Sequence, residues 1–238
     1  MIDEWGKGAK YWDHAWNPVI GCKKVSEGCA NCYAERMAGK FTELQDGFGG
    51  FLPHCPKNLK SPPKSGVVFV GNMTDIFGEW NRDEQILQWL KMNGDIRSVK
   101  LVLTKRAYRM RKLTANLPMQ NYFYGITAEN YARYEQREPS CLLMREGVKM
   151  WLSAEPLLGQ IDLIRPYGIL FDWVVVGAES GPNRRPCKLE WVRDIVQQCR
   201  ENGVPVFVKQ LDIGGKLETD ISKFPEDLQI RQVPWKQV

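Results

Sequence analysis

The sequence predicts an α/β fold, a partial barrel of six or seven βα units with a cysteine-rich loop after its first strand. Three observations carry this reading. Short apolar runs rich in β-branched residues recur at 67–70, 99–103, 122–126, 148–152, 173–176 and 204–208. Continuous short runs of this kind are the pattern of strands buried on both faces of a parallel sheet. The runs end 33, 23, 26, 24 and 32 residues apart, which is the spacing of a strand plus a crossover helix. Polar or charged residues follow every run, at the end of the strand where parallel α/β folds bind ligands. An open doubly wound sheet is the competing architecture, but it would decorate only the strand ends at its switch point. The 238 residues fall short of the roughly 250 of a full eight-unit barrel, so the barrel is read as incomplete.

The elements follow in chain order. Residues 1–64 are irregular, broken by Gly, Pro, Asn and Cys. Within them an early strand is placed at 16–20 and a short helix at 30–40. Residues 47–66 hold Gly47, Gly49, Gly50, Pro53, Pro56, Pro62, Pro63 and Gly66, and read as a loop excursion. Helices are expected at 82–93, 105–115, 130–145 and 190–202. The first places Ile86, Leu87, Trp89 and Leu90 on one side, and the last carries Val192, Ile195, Val196 and Cys199, with Gly203 as a stop. The Pro-interrupted stretch 160–170 is a weaker connection. Residues 1–210 thus form one domain, and 211–238 a C-terminal extension.

Composition narrows the class. A chain that is 43% hydrophobic and 26% charged is globular rather than disordered. No apolar run approaches the roughly 18–20 residues of a membrane helix, and no secretory signal is present. The expected location is the cytoplasm. The balance of 33 basic against 28 acidic residues permits a nucleic-acid partner without requiring one. No helix-turn-helix signature, zinc-finger spacing or basic tail accompanies it. Seven cysteines, an odd number in such a chain, argue against a disulfide framework.

Three of the seven, Cys22, Cys29 and Cys32, are spaced C-x6-C-x2-C. Thiolates are soft ligands suited to zinc or iron–sulfur clusters. A closed zinc site needs a fourth protein ligand, for which His14, His54 with Cys55, or Cys187 are candidates. A 4Fe-4S cluster on three thiolates leaves one iron open. Both readings stand on the residues alone. Gly21, Gly28 and the polar loop between them speak against ordinary core cysteines.

A three-cysteine loop at the mouth of a parallel partial barrel resembles the layout of radical S-adenosylmethionine enzymes. The resemblance sharpens in Trp16-Asn17-Pro18, Gly21-Cys22, Gly28-Cys29 and Cys32-Tyr33-Ala34-Glu35-Arg36. With Leu103-Thr104-Lys105-Arg106, Ser153-Ala154-Glu155-Pro156, Gly177-Ala178-Glu179-Ser180-Gly181 and Val208-Lys209-Gln210, these blocks resemble the three-Cys-motif family of phage and mobile-element proteins. That family is similar to the spore photoproduct lyase branch of the radical enzymes, which acts on DNA. The sequence departs from the radical-enzyme pattern in its six-residue first interval, where three is usual. Asn31 also stands where an aromatic commonly precedes the last cysteine, and Tyr33 follows instead.

The resemblance implies a 4Fe-4S cluster on Cys22, Cys29 and Cys32, with S-adenosylmethionine on the open iron as the source of a 5′-deoxyadenosyl radical. It places Asn72, Thr74 and Asp75 near the methionine amino group, and Tyr33 near adenine. Thr127, Glu129 and Asn130 fall near the ribose, and Ser153, Glu155 and Glu179 near ribose or substrate. Lys105, Arg106, Arg184, Arg185 and Lys209 are positive groups for the phosphate of a nucleic acid or nucleotide substrate. An electron donor and a family partner protein are the implied associates. Helix capping accounts for Thr74, Asp75, Thr104 and Ser180, but poorly for cations at a helix N-terminus. The competing class is a non-enzymatic phage binding module, stabilised by zinc or a cluster, that docks on DNA or a host protein.

Overall fold

The computed structural model describes residues 9–40, 46–49, 54–56, 59–92, 97–118, 120–144 and 146–235. Seven strands lie side by side in chain order, every neighbouring pair parallel. They are β1 (His14–Trp16), β2 (Gly66–Val70), β3 (Ser98–Thr104), β4 (Tyr122–Thr127), β5 (Lys149–Ala154), β6 (Trp173–Gly177) and β7 (Val206–Ile213). An eighth, β8 (Lys216–Glu218), turns back antiparallel on β7. Among the described residues β1 and β7 do not pair, so the sheet is a curled half-barrel.

The curl is visible in one side chain. Tyr11 sets its ring 6.4 Å from Phe69 on β2 and 5.5 Å from Phe207 on β7. A single ring reaches both flanks only if the sheet wraps around it. Odd-numbered residues of the strands point inward with it: Val67, Phe69, Leu101, Phe123, Trp151, Trp173, Val175 and Phe207. Even-numbered residues such as Val68, Val102, Tyr124, Leu152, Val174 and Val208 face outward into a second core. This period-two split is why the strands read as continuously hydrophobic. Each fully buried Trp or Phe of the inner core contributes on the order of 1.5–3 kcal/mol over exposure.

Two short helices, α1 (Tyr33–Ala38) and α2 (Asp46–Gly49), follow β1. The outer face is covered by α3 (Asp83–Met92), α4 (Ala107–Lys112), α5 (Tyr131–Leu142) and α6 (Leu189–Glu201). Ile86, Trp89 and Leu90 of α3, Met110 of α4, Tyr134 of α5, and Val192, Ile195 and Cys199 of α6 pack onto the outer core. The stretch from β5 to β6 has no helix, and Leu157, Ile161, Leu163 and Phe171 fill that space directly.

Some elements lie where the sequence did not put them. The first strand is His14–Trp16, earlier than expected, because Pro18 lacks the N–H a ladder needs. Instead Asn17 turns its amide to Asn72 and to the N–H of Met73, at 2.7 and 3.0 Å. The helix after the cysteines starts only at Tyr33, behind a single 3-10 turn at Glu27–Cys29. Of the expected excursion 47–66, residues 50–53, 57 and 58 lie outside the described residues. Strand β7 runs to Ile213, past the expected start of the extension, and β8 was not foreseen. The tail returns along β7, where Val208 N–H donates to Ile230 and Gln232 N–H to Val206. Trp235 then caps the inner core, 4.9 Å from Trp173.

Candidate functional site

The carboxyl ends of the parallel strands and the loop between β1 and α1 enclose a cavity of about 240 Å³. Its floor is the top of the inner core, at Tyr11, Phe69 and Leu103. Its wall on one side is the cysteine loop. Cys22, Cys29 and Cys32 all line it, and among the described residues no other cysteine and no histidine does. Cys29 is buried, and Cys22 and Cys32 are half-buried. Burial, reinforced by Asp75 and partly offset by Arg106, pushes the Cys22 thiol up to about 12. Among the described residues, no three His, Cys, Asp or Glu side chains are gathered as they would be around one metal ion.

The expected fourth ligands stand elsewhere. Cys187 is buried in the outer core, its N–H donating to Asp212 at 3.3 Å. His54 pairs through its backbone with Ile20, and Cys55 is exposed. His14 is exposed on β1. None of them lines the cavity.

Most of the residues singled out at the strand ends do. Tyr33, Asn72, Thr74, Asp75, Thr127, Ser153, Glu155 and Glu179 line the same cavity, as do Lys105, Arg106 and Lys209. Glu129, Asn130, Arg184 and Arg185 do not. Arg184 donates instead to the carbonyl of Gly215. Asn130 caps α5 by accepting from Arg133 N–H at 3.0 Å, and its amide donates to Glu27 at 2.7 Å.

The carboxylates at the rim are already engaged. Asp75 accepts from Thr104 at 2.6 Å, from the N–H of Phe77 and Lys105, and from Arg106 at 3.0 Å. Arg106 also meets Glu79 at 2.8 Å and lies 4.7 Å from the centre of the Trp80 ring. Glu129, fully buried, takes Lys105 at 2.9 Å, Arg137 at 2.7 Å and the Ser26 hydroxyl at 2.5 Å. Burial alone would raise this carboxyl, but Lys105 and Arg137 pull it down to about 2. Glu179 receives the Arg185 guanidinium and N–H, and the Asn31 amide at 2.9 Å. Burial opposes its ionisation, yet Arg185 and Asn31 hold it below the usual carboxylate range. Lys209 stands 3.0 Å from Glu155, and Tyr11 and Ser153 each donate to the same carboxylate at 3.4 Å.

The cations expected to receive a phosphate are therefore matched by carboxylates: Lys105 by Glu129, Arg106 by Asp75, Arg185 by Glu179 and Lys209 by Glu155. An anion entering here shares or displaces a carboxylate. Thr74 faces the loop, donating to the Gly21 carbonyl at 2.7 Å. Tyr33 donates its hydroxyl to the Asn72 carbonyl.

Sequence reasoning missed Tyr11, Trp12, Ser26 and Asn31 as parts of this site. Tyr11 and Trp12 precede the first strand in a stretch without periodicity, so no pattern marks them. Lys209 lies 5.8 and 5.9 Å from their ring centres. For Asn31 the signal was its departure from an aromatic; the structure gives it the contact to Glu179 and another to the Asn183 carbonyl at 2.7 Å.

A family model described as "Protein of unknown function (DUF5131)" matches residues 7–232. The chain belongs to the DUF5131 family. The match takes in the cysteine loop, all eight strands and the returning tail of this DUF5131 chain, and the family description names no activity. No curated protein and no solved structure matches the chain. Among the described residues of this DUF5131 protein, no helix is long and apolar enough to cross a membrane.

Proposed function

We propose that the cavity is a radical S-adenosylmethionine site in which Cys22, Cys29 and Cys32 hold a 4Fe-4S cluster. The observation that supports this best is the donor set. Three thiols line one cavity at the carboxyl ends of parallel strands, and no fourth thiol or imidazole joins them among the described residues. A structural zinc site of Cys and His would be one ligand short, and the carboxylates of the cavity are engaged by Arg106, Lys209 and Arg185, whereas a cluster on three thiolates keeps an open position. A cluster also spreads its thiolates over several irons, so they need not crowd as ligands of a single ion do.

With the cluster held by Cys22, Cys29 and Cys32, the chemistry it would supply is one-electron cleavage of the sulfonium S–C5′ bond of S-adenosylmethionine, giving methionine and a 5′-deoxyadenosyl radical for hydrogen-atom abstraction from substrate. The chain's own residues would bind, orient and exclude water. Asn72 and Thr74, next to the cysteine loop, are the groups for the methionine end, and Tyr33 is the aromatic for adenine. Thr127, Ser153 and Glu155 are the groups for ribose and substrate. Asp75 acts through Thr104, Lys105 and Arg106, whose positions it fixes. The proposed substrate is a nucleic acid or nucleotide whose phosphate shares Lys105 or Lys209 with their carboxylates. A reductant protein is the proposed partner.

The test is purification without oxygen, followed by assay of iron, sulfide, zinc and the visible spectrum. Reductant and S-adenosylmethionine are then added and 5′-deoxyadenosine is measured. The reading expects a cluster per chain and cofactor cleavage. Zinc in its place, with no iron taken up on reconstitution, overturns it in favour of a zinc-stabilised binding module.

A further inference from the structure

The long first interval of the cysteine motif, Lys23 to Gly28, has a structural use. Ser26, Glu27 and Gly28 bolt the loop onto the start of α5. The Ser26 hydroxyl donates to Glu129 at 2.5 Å. Glu27 receives Arg133 through Nε at 2.9 Å and Nη2 at 2.7 Å, and the Asn130 amide at 2.7 Å. Gly28 lies so close over the Glu129 side chain that a Cβ there would overlap the carboxylate. Cys29 follows at once, its sulfur 3.8 Å from the Ser26 hydroxyl.

Glu129 is well placed for this. It lies two residues past the end of β4 and has no exposed surface. Lys105 reaches it from the end of β3, Arg137 from within α5, and Arg137 also donates to the Thr127 carbonyl at 2.6 Å. Its backbone carbonyl accepts from Leu158 N–H at 2.7 Å. A carboxylate held by two cations, on a residue whose backbone is also bonded, is a fixed point, and the loop is referenced to it.

We propose that Ser26, Glu27 and Gly28 form a clamp that sets the position of the three thiols, with Glu129 as its positioning residue. This rests on the reading of Cys22, Cys29 and Cys32 as ligands. A loop without the clamp would sample many conformations and lose its preorganisation toward a metal centre. Half of the six-residue interval thus carries the contacts to Glu129, Asn130 and Arg133.

The experiment uses the metal-free full chain. Alkylation of each cysteine by iodoacetamide is timed by mass spectrometry in the wild type, Ser26→Ala, Ser26→Thr, Gly28→Ala and Glu129→Gln. Cys141 and Cys199, buried in the outer core, report on global loosening. Loss of a hydrogen bond to a buried charge should speed alkylation of Cys29 about tenfold or more in Ser26→Ala. Gly28→Ala should do the same by crowding Glu129 while leaving the Ser26 hydroxyl in place, and Ser26→Thr should restore the wild-type rate. Throughout, Cys141 and Cys199 should stay protected. Wild-type rates at Cys29 in both Ser26→Ala and Gly28→Ala overturn the clamp. So does parallel exposure of the core cysteines, which would make these residues merely structural. Iron–sulfur reconstitution of the same proteins is read separately: a wild type that takes no iron sinks the ligand reading and leaves the alkylation result intact.

Discussion

Asn31 and Glu179 lie 148 residues apart in sequence and meet at 2.9 Å. The contact fastens the segment between Cys29 and Cys32 to the end of β6. The same carboxylate takes the N–H and guanidinium of Arg185, so one buried side chain organises two loops. Glu179→Ala should leave Arg185 and Asn31 without their acceptor. Breaking a buried pair typically costs about 3–5 kcal/mol, and partial exposure of Arg185 brings the expectation toward about 2 kcal/mol. Chemical denaturation would show it as a lower midpoint with an unchanged slope.

Glu129 makes a pH prediction. Burial pushes its carboxyl up, but Lys105 and Arg137 outweigh that and hold it down to about 2, below the ordinary 4.5 of a glutamate. A depressed carboxyl adds stability that is fully present above the unfolded pKa and is lost as pH falls through the folded one. The stability gap between wild type and Glu129→Gln should therefore be widest above about pH 5 and shrink steadily toward pH 2. Melting temperatures of both proteins across that range check it. A gap that does not change with pH would show that the ionised form of Glu129 adds nothing.

The cysteines separate by position. Cys22→Ser, Cys29→Ser and Cys32→Ser should each abolish iron and sulfide uptake on reconstitution. Cys187→Ser should keep it, because Cys187 lies in the outer core. Metal analysis of the four variants is sufficient; iron retained in Cys22→Ser would remove that thiol from the ligand set.

The inner core can be probed at Gly125. The Trp151 indole occupies the place where a Cβ on Gly125 would stand, and its N–H donates to the carbonyls of Val102 and Phe123 at 3.1 and 3.2 Å. Gly125→Ala should overpack this layer and cost about 1–3 kcal/mol, measurable as a fall in thermal midpoint. Trp173→Ala should cost more, about 3–5 kcal/mol, since it empties a fully buried site.

The strands β2 to β7 and the helices α3 to α6 between them were legible because burial on both faces of a parallel sheet writes itself as short apolar runs at regular spacing. The residues that gather in the cavity were legible for a related reason: Asn72, Asp75, Lys105, Thr127, Ser153, Glu155, Glu179 and Lys209 each follow such a run. The pairing among them was not. Nothing local in Glu129 or Ser26 announces that they meet, since the contact joins positions 103 residues apart. Likewise β1 was displaced by Pro18, and Tyr11 gave no sign that it would become the centre of the inner core. Long-range ion pairs and isolated aromatic plugs depend on the three-dimensional curl, which periodicity does not encode.

Among the described residues the barrel does not close, and the two end strands of the sheet are short. Strand β1 has three residues and so does β8. An open parallel sheet with long free edges invites edge-to-edge pairing with other copies and growth into aggregates. Here the brief ends offer too few free backbone groups to template a neighbouring strand, and the returning tail at Ile230 and Gln232 takes up backbone groups of β7. Trimming the chain before residue 230 would uncover part of that strand, and the truncated protein should lose solubility before it loses its secondary structure.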